Sequence, residues 1–184
     1  MTFTPEEALA HHEKSMMICR LSLEQAVQYV IGPVYGLDDA QFGLHHRIHF
    51  WCDENSMRLG YLYSSVESYH DLHPRAFTVT TSLYAEGVHP GGIPFMGHLR
   101  HGMDSWFCCD ISLSQRFKGK DAVFIIDGKS FKGSITHRVD PMLYSRVTLQ
   151  HERVGIDAEA LGPSIEELIQ ILESLHDLKG KEVE

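Results

Sequence analysis

The chain predicts an α+β protein in which helices bracket an antiparallel sheet of five or more strands, and three observations carry that reading. Helix start signals stand near both ends, at Thr4-Pro5-Glu7 and at Pro163-Ser164-Glu167, each offering a capping hydroxyl and a carboxylate three residues on. From about Gly43 the apolar period shifts to two, the spacing of a strand. Glycine-containing turns at Gly102, Gly119 and Gly128 separate the later runs, and such short links imply antiparallel pairing.

Length and composition bound what this sheet can belong to. With 184 residues, 43% of them hydrophobic and 22% charged, the chain supports one sizeable core rather than two. The formal net charge is −9 and the Lys and Arg residues are scattered, so no basic footprint for nucleic acid or anionic membranes is present. The sequence contains no apolar run of about 18 residues and no secretory signal pattern, which makes a soluble, cytoplasmic protein the expectation. Cys19, Cys52, Cys108 and Cys109 show no C-x-x-C pair or framework spacing and are expected to be reduced.

The elements follow in order. A helix is expected over 5–19, and Ser22 with Gln25 offers a weaker second start that Gly32-Pro33 would end. Residues 26–31 fit a first strand equally well, since VQYVI is rich in β-branched and aromatic types. Leu44, His46, Ile48, Phe50 and Cys52 alternate with His45, Arg47, His49, Trp51 and Asp53, as on the two faces of a strand. Further strands are expected over 95–101, 105–117, 122–126, 130–139 and 143–154. At the end, Ile165, Leu168, Ile169, Leu172 and Leu175 form an apolar stripe at helical spacing. The stripe either packs on the chain's own sheet or serves self-association, and a helix this short seldom sustains a coiled coil alone. The organisation is thus an N-terminal helical extension over 1–26, an α+β domain over 27–154, and a C-terminal helix and tail over 155–184.

Thirteen histidines invite a search for metal or acid–base chemistry. On one strand His45 and His49 would lie about 13 Å apart at roughly 3.3 Å per residue, too far for a shared ion. His70 and His73 would share a helical face, but no third ligand stands at a matching offset and no HExxH pattern occurs. No metal site is therefore assigned. Cys108 and Cys109 have no helix N-terminus or Gly-rich elbow to activate a thiol, and no Gly-rich phosphate loop precedes a helix. No catalytic residue is assigned either.

The order of the central elements resembles that of a PAS domain over about residues 27–130. RIHFWCDENSMRLGY looks like the second strand and its turn, with Leu59 buried and Gly60 reversing the chain. VESYHDLHP looks like the short connecting helices, FTVTTSLYAEG like the helix that crosses the sheet, LRHGMDSWFCCDISL like the central strands and AVFIID like the closing one. The turn HGMDSW, the threonines of the proposed crossing helix and the strand-like sequence over 130–154 depart from the family's pattern.

The resemblance implies a five-stranded sheet crossed by a helix, with a ligand held in the concavity between them. Its candidate wall is His70, His73, Phe77, Leu83, Tyr84, Phe95, His98, Leu99, Trp106 and Cys108, each of which is also an ordinary core filler by composition. Haem or flavin is compatible with the family, but no motif specifies either, and the cysteine motif of flavin-binding light sensors is absent. The leading expectation is a non-enzymatic sensory or protein-interaction module with a small-molecule ligand, and a protein partner or homodimer. Two alternatives stand beside it: a small isomerase- or thioesterase-like enzyme using His98, Asp104 or His137 in a pocket, and an acidic adaptor or inhibitor.

Overall fold

Strand pairing dominates the computed structural model, which describes residues 18, 21–38, 47–52, 56–64, 76–88, 120–138 and 143–180. The chain is α+β, mostly antiparallel sheet with two short helices among these residues. After α1 (Leu23–Ala26) and a single 3-10 turn at Val27–Tyr29 come β1 (Tyr35–Gly36), β2 (Arg47–Cys52), β3 (Ser56–Ser64) and β4 (Ala76–Tyr84). They are followed by β5 (Lys120–Ile126), β6 (Lys129–Arg138), β7 (Tyr144–His151), β8 (Val154–Leu161), α2 (Ile165–Glu173) and β9 (His176–Asp177). The main sheet has seven strands in the order β2-β3-β4-β8-β7-β6-β5, all antiparallel, and β1 pairs with β9 in a separate ribbon.

Both legible helix starts are built as capping boxes. Ser22 Oγ accepts from Gln25 N at 3.3 Å while Ser22 N donates to Gln25 Oε1 at 3.2 Å. Ser164 and Glu167 repeat the exchange at 3.2 and 2.9 Å, and α2 then turns its Leu168 and Leu172 fully inward. The helix expected over 5–19 lies outside the described residues apart from Ile18, which is helical and buried. The strands expected over 95–101 and 105–117 also lie outside them.

Three sequence expectations are corrected. The segment FTVTTSLYAEG, expected to be the crossing helix, supplies β4, paired with β3 on one side and β8 on the other. Its run of Thr78, Val79, Thr80 and Thr81 restricts χ1 against a helical turn, and its apolar residues alternate at period two. RLGY is no turn either, because Leu59-Gly60-Tyr61 lies inside β3, with Gly60 opposite His49 and Thr80. The chain reverses earlier, between Cys52 and Ser56, since Cys52 already pairs with Met57.

The third correction is the strand expected over 143–154, which is a hairpin. His151 pairs with Val154 across Glu152-Arg153, and Glu152 adopts φ 52, a left-handed conformation for which no glycine signals. The sheet therefore runs on to Leu161, past the expected boundary at 154, and β8 joins the two halves by pairing with both β4 and β7.

One face of the sheet carries the core. Phe50, Leu59, Phe77, Val79, Phe131, Leu149 and Ile156 meet Leu168, Leu172 and Leu175 from the C-terminal segment and Val27, Val30, Val34 and Tyr35 from the N-terminal one. Tyr35 is fully buried, donates its amide to Thr81 Oγ1 at 2.9 Å and meets Phe131 edge to face at 5.3 Å. Asp177 fastens the two termini over this core by accepting from Val34 N at 3.1 Å, and Leu178 N donates to Val34 O at 2.8 Å. Among the described residues no helix is long and apolar enough to cross a membrane.

Candidate functional site

Alternation along a strand sends every second side chain to the face opposite the core; at the end of β8 the buried Leu161 is apolar there, but on β3, β4, β8 and β7 most of those residues are polar. They are Ser56 and Arg58 on β3, Thr78, Thr80, Ser82 and Tyr84 on β4, Asp157 and Glu159 on β8, and Tyr144, Arg146 and Thr148 on β7. A polar outer face is ordinary for an antiparallel sheet, but such a face is normally solvated. Here Arg58 is 5% exposed, Glu159 4% and Ser82 0%, so on β3, β4 and at Glu159 the layer is polar and buried together, while Asp157 is half-buried and Thr148 on β7 is exposed.

The register sets who meets whom. Arg58, Ser82 and Gly155 stand in one row, Thr80, Asp157 and Thr148 in the next, and Thr78, Glu159 and Arg146 in the third. The Arg58 Nε donates to Ser56 Oγ at 2.9 Å, and the Tyr144 hydroxyl donates to Glu159 Oε1 at 2.7 Å. Ser82 Oγ is buried with no hydrogen-bond partner of good geometry among the described residues. The Tyr84 ring lies over Gly155, where a Cβ would come within 2.8 Å of it, so only glycine admits the ring there. The backbone beside it is tied at 2.9 Å twice, by Tyr84 N to Arg153 O and by Arg153 Nε to Tyr84 O.

Burial shapes the acid–base character of the layer. Desolvation pushes the Asp157 carboxyl above its usual range, against the pull of the Thr148 hydroxyl and the positive charges of Arg58 and Arg146. Desolvation also raises the Tyr84 phenol, the nearby Asp157 charge adds to this, and Ser82 and Arg58 act the other way. Two carboxylates thus stand two residues apart on one strand face, about 6.6 Å between their Cα atoms at 3.3 Å per residue. One is driven toward its neutral form and the other is held by a phenol. Such a layer can both donate to and accept from a polar ligand.

Of the candidate wall expected from the sequence, the described residues include Phe77, Leu83 and Tyr84. Phe77 and Leu83 face the core while Tyr84 faces the polar layer, so strand alternation prevents the three from lining one concavity. His70, His73, Phe95, His98, Leu99, Trp106 and Cys108 lie outside the described residues, as does Asp104. His137 lies on the core side, its Nδ1 at 2.6 Å from the buried Ser145 Oγ, and so on the opposite face from Asp157 and Glu159.

Of the two uses the sequence allows for the apolar stripe, packing on the chain's own sheet takes Leu168, Leu172 and Leu175, which are buried in the core; Ile165 is half-buried against it and Ile169 remains 36% exposed. Among the described residues no group of three or more His, Cys, Asp or Glu is placed to hold a metal ion.

The residues of the polar layer escaped the sequence reading for identifiable reasons. Arg58 stood inside the supposed turn, and Asp157 and Glu159 fell after the supposed last strand. The alternation Ile156-Asp157-Ala158-Glu159-Ala160 was the available signal, because small apolar and acidic residues take turns there. No family model, no curated protein and no solved structure matches the chain.

Proposed function

We propose that this protein is a binding module, sensory or protein-interacting in role, whose small-molecule ligand sits against the second face of the sheet. The observation that carries the reading is the combination of polarity and burial at Arg58, Ser82 and Glu159, with the desolvated carboxyl of Asp157 in the row between Ser82 and Glu159. A sheet face that only needed covering would be apolar, since each buried polar group left without a partner costs about 1–3 kcal/mol. Ser82 Oγ is buried with no well-formed hydrogen bond beyond its interaction with the Tyr84 phenol, and a ligand acceptor or donor beside it would complete its bonding. In the PAS-like form of this reading the antiparallel sheet is kept, and the element that crosses it comes from chain other than β4.

Native mass spectrometry and a visible absorption spectrum of the gently purified protein test the proposal. The expected result is a bound mass that disappears in Ser82→Leu, which puts a larger apolar side chain in the same row as Arg58, while the variant keeps its far-UV circular dichroism. Visible bands would identify the ligand as a chromophore such as haem or flavin. A bare chain mass in wild type, with no thermal shift against a panel of polar metabolites, overturns the reading.

A further inference from the structure

Among the described residues β5 is the last strand of the seven-stranded sheet, with no strand paired to its outer edge. The hairpin to β6 turns through Asp127 and Gly128, both at positive φ (51 and 73), with Ile126 opposite Lys129. In such a two-residue hairpin the flanking pair exchanges backbone hydrogen bonds, and every second pair after it does so too. Ile126, Phe124, Ala122 and Lys120 therefore direct their amides and carbonyls to β6, while Ile125, Val123 and Asp121 direct theirs outward. Two of these three also carry exposed apolar side chains, Val123 at 62% and Ile125 at 60%. Natural edges are usually blunted by proline, a bulge, short length or charge. β5 has seven residues, an unbroken register and no proline, with charge confined to Lys120 and Asp121 at one end.

We propose that β5 pairs with β5 of a second copy, antiparallel about a twofold axis at Val123, to form one continuous sheet through two molecules. Val123 then faces its own symmetry mate, and Ile125 of each copy packs beside that pair. Charge selects both the occupant and the register. With the axis at Val123, Lys120 lies opposite the second copy's Ile126, next to its Asp127, so an opposite-charge pair closes each end of the ladder. With the axis at Phe124, Asp121 would stand opposite Asp127 twice, a like-charge contact that destabilises. The β5–β6 hairpin itself carries Lys120, Lys129, Lys132 and Arg138 against Asp121 and Asp127, so the net charge of −9 is not concentrated at this edge.

Sedimentation velocity of the full chain over a range of concentrations tests the pairing. The expected species has twice the 20.9 kDa chain mass, and Val123→Pro and Ile125→Lys each weaken its association by about tenfold or more while leaving the fold intact. Oxidised Val123→Cys should give a disulfide-linked dimer that wild type lacks, because paired Cα atoms about 5.5 Å apart suit the bond. A single-chain mass at every concentration, or a dimer indifferent to both substitutions, overturns the proposal. So does crosslinking through Ile125→Cys but not Val123→Cys, or through neither.

Discussion

The two faces of the sheet are built from the same strands and solve opposite problems. On the core face, Phe77, Phe131, Leu149 and Ile156 are buried against helices and terminal segments of matching apolarity, and the buried hydroxyls there are partnered, Thr81 by the Tyr35 amide and Ser145 by His137. On the second face, burial falls on Arg58, Thr80, Ser82 and Glu159, whose stability depends on partners rather than on contact area. The second face also changes character along the sheet, from polar and buried at β4 and β8 to apolar and exposed at β5. Burial on this face therefore does not follow hydrophobicity. That inversion separates a face whose burial relies on polar partners from one whose burial relies on apolar contact.

Substitutions that act on one face alone can break or sharpen this contrast. Phe77→Ala leaves a cavity in the core and should cost about 3–5 kcal/mol in urea unfolding. A loss below about 1 kcal/mol would mean that the core face is loosely packed and the contrast false.

Tyr144→Phe removes the phenol donor from Glu159 without changing ring volume, and about 1–3 kcal/mol is expected from a buried carboxylate losing a partner. An unchanged midpoint would show that water replaces the hydroxyl and that the polar layer is solvated.

The third substitution, Asp157→Asn, reads the layer through pH. Because burial raises the folded-state pKa of Asp157 above its usual value of 3.8, the folded protein holds this proton more tightly than the unfolded chain does. The associated stability is full below the unfolded-state value and is lost as pH rises through the raised folded-state value. Asp157→Asn should therefore be more stable than wild type at neutral pH and lack that part of the pH slope. Equal or lower stability of the variant at neutral pH would show that Arg58 and Arg146 outweigh desolvation.

How much of this was legible in the sequence depended on whether the signal was local. The Ser22/Gln25 and Ser164/Glu167 boxes were readable because all partners lie within one helical turn. The β5–β6 hairpin was readable as well, since Asp127-Gly128 marks its turn directly. The turn at Glu152-Arg153 carries no such residue, and its left-handed backbone is imposed by β7 pairing with β8. β4 was mistaken for a helix because its place in the presumed order outweighed its β-branched composition. The candidate site was less legible still. Arg58, Ser82 and Asp157 are far apart in the chain, and only strand register brings their rows together.

The sequence by itself determined the α+β class, the two capped helix starts, the apolar stripe of α2 and the first of the late hairpins, because each rests on spacing within a few residues. Tertiary structure alone decided that β8 would lie between β4 and β7, and that the polar residues Arg58, Ser82 and Glu159 would be buried together. The physical reason is that strand neighbours and burial are long-range properties: a strand's pattern shows which residues share a face, but not what lies beside or above that face.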